Sequence, residues 1–168
     1  MKTLHLSLCL LAALAVACGG DDGTAPLPTS ELPERFHRGA APEGALDVAA
    51  ARSAAVSGER LAVRGFVGGS EQPFVSGLAA FTLVDPALKS CAGDGMGCET
   101  PWDYCCEDPK AMMEGSLVVE FREGGELLAT PARGFHGLDH LSEVVVEGLA
   151  EVDPRGNVTV VADGVFLP

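Results

Sequence analysis

Residues 142–167 read SEVVVEGLAEVDPRGNVTVVADGVFL, two apolar runs that alternate with polar residues on either side of Asp153, Pro154, Arg155, Gly156 and Asn157. Period-two alternation marks a half-buried strand, because successive side chains point to opposite faces. The Asp, Pro, Gly and Asn between the runs supply turn chemistry, so this stretch predicts an antiparallel hairpin. Val144, Val146 and Val152 then share the inward face, with Glu147 on the other. Gly148 interrupts the first run, where a glycine often marks a bulge or sharp bend.

Upstream, the same alternation recurs in RLAVRGFVG (60–68), AAFTLVD (79–85) and SLVVEFR (116–122). Gly68-Gly69-Ser70 and Gly124-Gly125 mark loops. FHGLDHL (135–141), between the third and fourth strands, predicts one short helical turn. Five strands with a small helix in that place follow the order of an OB-fold, a partly open Greek-key barrel. Gly65 and Gly148 fit the bends a small barrel needs. The fold expected is therefore mainly β, a small five-stranded OB-like Greek-key barrel, with a generic antiparallel sandwich as the alternative. The barrel domain is expected over 58–168.

The chain opens MKTLHLSLCLLAALAVACGG, with one cation at Lys2, an apolar run, and Ala15 and Ala17 before Cys18. This pattern predicts a signal peptide over 1–17. The run is shorter than the ~18 to 20 apolar residues of a spanning helix and lacks a basic stop-transfer flank. Ala15-Val16-Ala17-Cys18 also resembles the bacterial lipobox, in which the cysteine is acylated, so Cys18 is the expected lipidation site and the membrane the expected partner. Residues 18–57 are expected as the lipidated N-terminus, a flexible Gly/Pro-rich tether and a short helix in ALDVAAARSAAV (45–56). Gly19 after Cys18 points to an outer membrane facing the periplasm; simple signal cleavage would give a secreted periplasmic protein.

The formal net charge of -13 repels phosphate backbones, which argues against a nucleic-acid partner. A cation or another envelope protein fits that charge better.

Between the second and third strands lie about thirty residues, where a connection usually takes two to six. This insertion, 86–115, contains CAGDGMGCETPWDYCCEDP (91–109), with Cys91, Cys98, Cys105 and Cys106, the single Trp102 and the single Tyr104. An even number of thiols in an oxidising compartment predicts two disulfides, each splitting the Cys105-Cys106 pair. Trp102, Asp103 and Tyr104 then form a loop binding surface. The alternative is a soft-metal site for Cu or Zn on the four thiolates, although C-x6-C-x6-C-C lacks the paired knuckles of common zinc motifs. Met96, Met112, Met113, His136 and His140 are weaker metal candidates. A thiol-redox role has the least support, since C-x-x-C is absent. Ser70 has no G-x-S-x-G context, so no catalytic residues and no enzyme activity are expected.

GERLAVRGFVGGSEQPFVSGLAAFTLVD, TPWDYCCE and VVVEGLAEVDPRGNVTVVADGVF resemble a family of uncharacterised bacterial exported lipoproteins of the planctomycete type, which pair a GGS-x-x-PF loop with a TPWDYCC motif. The resemblance runs from about Gly58 to the C-terminus and implies an envelope lipoprotein without an assigned activity. A looser similarity links the strand order to periplasmic OB-fold proteins, including a haem chaperone; here no His follows His140, so haem carriage is not implied. The function expected is a non-enzymatic binding or scaffolding module of the cell envelope, with no cofactor and a disulfide-pinned loop. The alternative is a periplasmic Cu/Zn-handling or thiol-redox protein.

Overall fold

The computed structural model describes residues 27–93 and 97–168. The expected signal peptide, Cys18 and Met96 lie outside the described residues. Among those described, no helix is long and apolar enough to cross a membrane.

Five main strands close a barrel: β2 (Arg60–Val67), β3 (Ala80–Val84), β4 (Ser116–Glu120), β7 (Glu143–Val152) and β8 (Val158–Phe166). They follow the order β2-β3-β4-β8-β7, and β7 pairs back to β2. Only β4 and β8 are parallel within this ring. This is the OB-like Greek-key barrel, with a 3-10 turn, Phe135–Gly137, between β4 and β7 as expected. Smaller elements are β1 (Leu46–Asp47), which pairs parallel to β2, and the hairpin of β5 (Arg122–Glu123) with β6 (Glu126–Leu127).

Alternation places one face of every strand in a common core. Val63, Val67, Phe81, Leu83, Leu117, Val119, Val144, Val146 and Val160 are all essentially inaccessible. Each such side chain contributes about 1.5 to 3 kcal/mol of transfer free energy, so the core dominates the stability of the fold. Leu138, from the segment after the 3-10 turn, is buried in the same cluster.

Glycine permits two close approaches. A Cβ on Gly65 would meet the Val84 carbonyl oxygen at 2.6 Å, at the point where β2 leaves β7 for β3. At Gly148, beside the register shift between Glu147 and Gly148, the Val161 carbonyl of β8 comes closer still.

Two expectations about this region need correction. Val152 keeps the face of Val144 and Val146 by alternation but is not buried with them; it is 36% exposed, because it sits where β7 runs out at the hairpin end of the barrel wall. Glu147 is not a free outer position either, since its Oε1 accepts from Arg38 Nε at 2.5 Å.

The expected tether also differs. From Ser30 onward the chain is strapped to the barrel: Ser30 Oγ donates to the Pro131 carbonyl at 2.7 Å, and Glu31 N–H donates to Thr130 Oγ1 at 3.1 Å. Leu32 and Phe36 are buried, and Phe36 packs edge-on against Phe121 at 5.1 Å. Two large apolar side chains spaced by a 3-10 turn, Glu34–Phe36, suffice to anchor a segment whose Pro, Gly and Ala content reads as linker. The short helix is present as α1, Val48–Ala54, and buries Val48 and Ala51. Its N-cap residue, Asp47, makes no side-chain cap. Asp85, at the end of β3, does that work instead: one carboxylate oxygen accepts from Ala49 N–H and the other from Ala87 N–H, each at 2.8 Å.

Candidate functional site

The long insertion folds against the barrel as three short helical pieces: Cys91–Gly93, Pro101–Asp103 and α2, Pro109–Glu114. Asp108 caps α2 by accepting from Lys110 and Ala111 N–H at 3.0 Å each, with Pro109 in the first helical turn.

The seat for this insertion is the Gly68-Gly69-Ser70 loop. Gly69 N–H donates to the Trp102 carbonyl at 2.8 Å, and Trp102 Nε1–H donates to the Glu71 carbonyl at 3.0 Å. A Cβ on Gly68 would meet Tyr104 Cε2 at 2.7 Å and the Trp102 carbonyl oxygen at 2.8 Å. The glycine is therefore required by the close approach of the Tyr104 ring. The GGS-x-x-PF and TPWDYCC segments occur together in this chain because one is the socket of the other.

This arrangement corrects the expected binding surface. Tyr104 is only 3% exposed and adopts a left-handed backbone (φ 59°), so it is a plug rather than a surface residue. Burial pushes its phenol pKa up. The Trp102 indole stacks on the His140 imidazole at 4.0 Å, with the planes 3° apart. Burial pulls the His140 pKa down, helped by the Arg133 charge and opposed by Asp139. Asp139 itself is raised by burial but held below the usual range, on balance, by its bond from Arg133 at 2.6 Å.

Asp103 is an organiser of the loop. Its Oδ1 accepts from Cys105 N–H at 2.9 Å and lies 3.9 Å from Cys91 Sγ, while Oδ2 accepts from Thr100 Oγ1 at 3.0 Å. The Cys105 N–H contributes most to holding the Asp103 carboxyl below its ordinary pKa.

Beside that carboxylate three thiols converge, with Cys106 next to Cys105. Cys91 Sγ lies 3.6 Å from Cys105 Sγ, Cys105 Sγ lies 3.9 Å from Cys106 Sγ, and the sulfurs of Cys91, Cys98 and Cys105 all fall within 4.8 Å of one another. No S–S bond joins any two of them in this structure. Cys91 is buried, Cys98 half-buried, and Cys105 and Cys106 exposed. Burial alone would raise Cys91, but the thiols of Cys105, Cys106 and Cys98 and a Cys106 backbone bond outweigh it, leaving Cys91 lowered. Cys98 is raised by burial and by its bond to Cys91. Cys105 is raised strongly because it donates to Cys91 and lies beside Asp103.

The histidine candidates separate. A shared helical face for His136 and His140 does not form, because the 3-10 turn covers only Phe135–Gly137 and His136 has φ 47°. His140 goes to Trp102, while His136 stacks on His37 at 3.8 Å and its Nε2 lies 3.0 Å from Glu34 Oε2. Met112 packs toward Gly69, and Met113 is 61% exposed. Glu34 and His37 escaped the sequence reading because they lie in the stretch taken as tether. The weak available signal was Phe36 between charged neighbours in an otherwise small-residue segment.

Comparison with known proteins finds no matching family model and no similar curated protein or solved structure.

Proposed function

We propose that this protein is a non-enzymatic, lipid-anchored envelope module in which an OB-like barrel carries a four-thiolate centre for a soft cation, Zn(II) or Cu(I). The observation that carries the reading is the spacing of the sulfurs. Four sulfurs placed ~2.3 Å from a central Zn(II) in a tetrahedron are ~3.8 Å apart. The 3.6 Å between Cys91 and Cys105 and the 3.9 Å between Cys105 and Cys106 are close to that edge length, and Cys98 lies within 4.8 Å of Cys91 and Cys105.

A set of four protein ligands leaves no open position on the metal, which is the arrangement of a structural rather than a catalytic site. The acidic surface raises the local cation concentration, and thiolates select soft ions over calcium or magnesium. Seating of Trp102 and Tyr104 on Gly68 and Gly69 ties the centre to the barrel, so a bound ion would order the surface of the insertion. The module would then act by presenting that surface to an envelope partner.

The adjacency of Cys91 and Cys105 also supports a second reading, two disulfides that pin the same loop. Metal analysis and thiol alkylation on protein purified from its native envelope separate the two. The metal reading expects one tightly held Zn or Cu per chain in the insertion, that equivalent being lost in Cys105→Ser, and four alkylatable thiols after chelation. Two bridges with no bound metal would overturn it. Membrane attachment is tested apart: Cys18→Ala should move the folded domain to the soluble fraction, and a processed variant that still pellets with membranes would refute the lipid anchor.

A further inference from the structure

We infer that Glu34, His37 and His136 form a second cation site, of nitrogen and oxygen donors, that clasps the N-terminal strap to the barrel. One ligand atom from each of the three falls within 4.8 Å of the others. Glu34 and His37 belong to the strap, and His136 belongs to the turn between β4 and β7, about a hundred residues away in the chain.

Both imidazoles are carried on fixed backbone. His37 N–H donates to the Glu34 carbonyl at 2.9 Å, the next residue's N–H donates to the Val165 carbonyl at 2.9 Å, and His37 forms an isolated bridge with Val165. His136 sits in a turn closed by Gly137 N–H to Gly134 and Leu138 N–H to Phe135, at 3.2 and 2.9 Å, and packs edge-on against Phe135 at 4.7 Å. With the backbone held, a chelating arrangement is to be reached through side-chain torsions. The rings now lie parallel, 8° apart, and must splay for their nitrogen lone pairs to converge on one ion. His136 is 35% and Glu34 80% exposed at the side chain, so there is room for that movement.

Two imidazoles and a carboxylate suit borderline divalent ions such as Zn(II), and differ in kind from the all-sulfur set in the insertion. Because the donors come from both sides of the strap-barrel contact, an ion there binds only the docked strap and therefore favours it. The site holds independently of the thiolate proposal, since no residue is shared.

Zinc titration of purified full-length protein, with bound metal counted after dialysis, tests this. With native cysteines, His136→Ala and His37→Ala should each lose one zinc equivalent while the equivalent in the insertion stays. In Cys98→Ser/Cys105→Ser, one equivalent should remain, and adding His136→Ala should remove it. Glu34→Gln should weaken this binding at least about tenfold. Zinc should also slow hydrogen exchange over residues 30–38 in the cysteine double variant. The inference is overturned if neither histidine substitution changes zinc stoichiometry, or if zinc leaves exchange in the strap unchanged. Loss of the equivalent in the insertion alone would count against the thiolate reading and leave this one standing.

Discussion

Gly148→Ala is a direct test of how the barrel closes. Gly148 pairs with Ala162 of β8, beside the bulge at which Asp163 of β8 is left without a partner in β7. An added Cβ would sit 2.8 Å from the Val161 carbonyl carbon and 2.9 Å from Ala162 Cα, with the Val161 oxygen nearer still. Real Cβ atoms are not found that close, and all three obstacles are backbone, so no side-chain rotation relieves them. β8 must move by about 1 Å or more relative to β7, across the strand pair that continues to β4. Overpacking a core by a methyl costs about 1 to 3 kcal/mol when side chains can adjust. Here we expect the upper end, roughly 3 kcal/mol, which lowers Tm by about 10 °C for a domain of this size. Gly156→Ala is the control. It lies in the same hairpin with φ 82° and open space around it, so it carries only the left-handed strain of about 1 kcal/mol. Thermal melts followed by far-UV circular dichroism read both. If Gly148→Ala melts within 2 °C or so of the parent, or below Gly156→Ala in its effect, the bend does not depend on this close approach and the argument fails.

Val146→Asp should unfold the domain, since an unpaired carboxylate in a fully buried position costs several kcal/mol, whereas Val152→Asp, at the exposed strand end, should shift Tm only slightly; equal effects in denaturant melts would refute the register. Asp85→Ala should destabilise by about 1 to 3 kcal/mol in urea melts by orphaning the Ala49 and Ala87 N–H groups, and a value near zero would mean that the α1 cap is dispensable. His140 is lowered in the folded protein, so the unfolded chain takes up its proton first as pH falls below ~6.5; stability should therefore decline from there toward the folded pKa and then level off. His140→Gln should abolish that slope together with the matching titration of Trp102 fluorescence, and an unchanged slope in the variant would assign it to another group.

The strands of the barrel were legible because each satisfies its own local rule. Period-two alternation, a Pro-Gly-Asn turn and mid-strand glycines all describe neighbours in sequence, and the five-strand order with a turn before the fourth strand is a chain-order property. The Ala-rich α1 was legible in the same way, to within a few residues at each end. The position of the cysteine insertion followed from its length between two clear strands.

Long-range contacts were not legible. The strap from Ser30 to Arg38 looks like linker because it has no apolar period and lies within a Gly-, Pro- and Ala-rich stretch, and only docking of Leu32 and Phe36 into the barrel shows that it belongs to the core. Val152 obeys the alternation yet is exposed, since alternation specifies a face and not where the wall of the barrel ends. Tyr104 and Trp102 read as a surface pair, but Gly68 sits beneath one and His140 against the other, over contacts of about thirty-five residues or more. His136 and His140 have helical spacing in sequence, and a left-handed backbone at His136 sends them to different partners. By itself the sequence determined which segments are strands, in what order they come, and that four thiols share one loop. Tertiary structure alone decided that Cys91, Cys98 and Cys105 bring their sulfurs within 4.8 Å of one another, and that Glu34 and His37 meet His136. Local periodicity encodes which face a residue takes; only closure of the barrel, driven by burial of its common core, brings distant faces together.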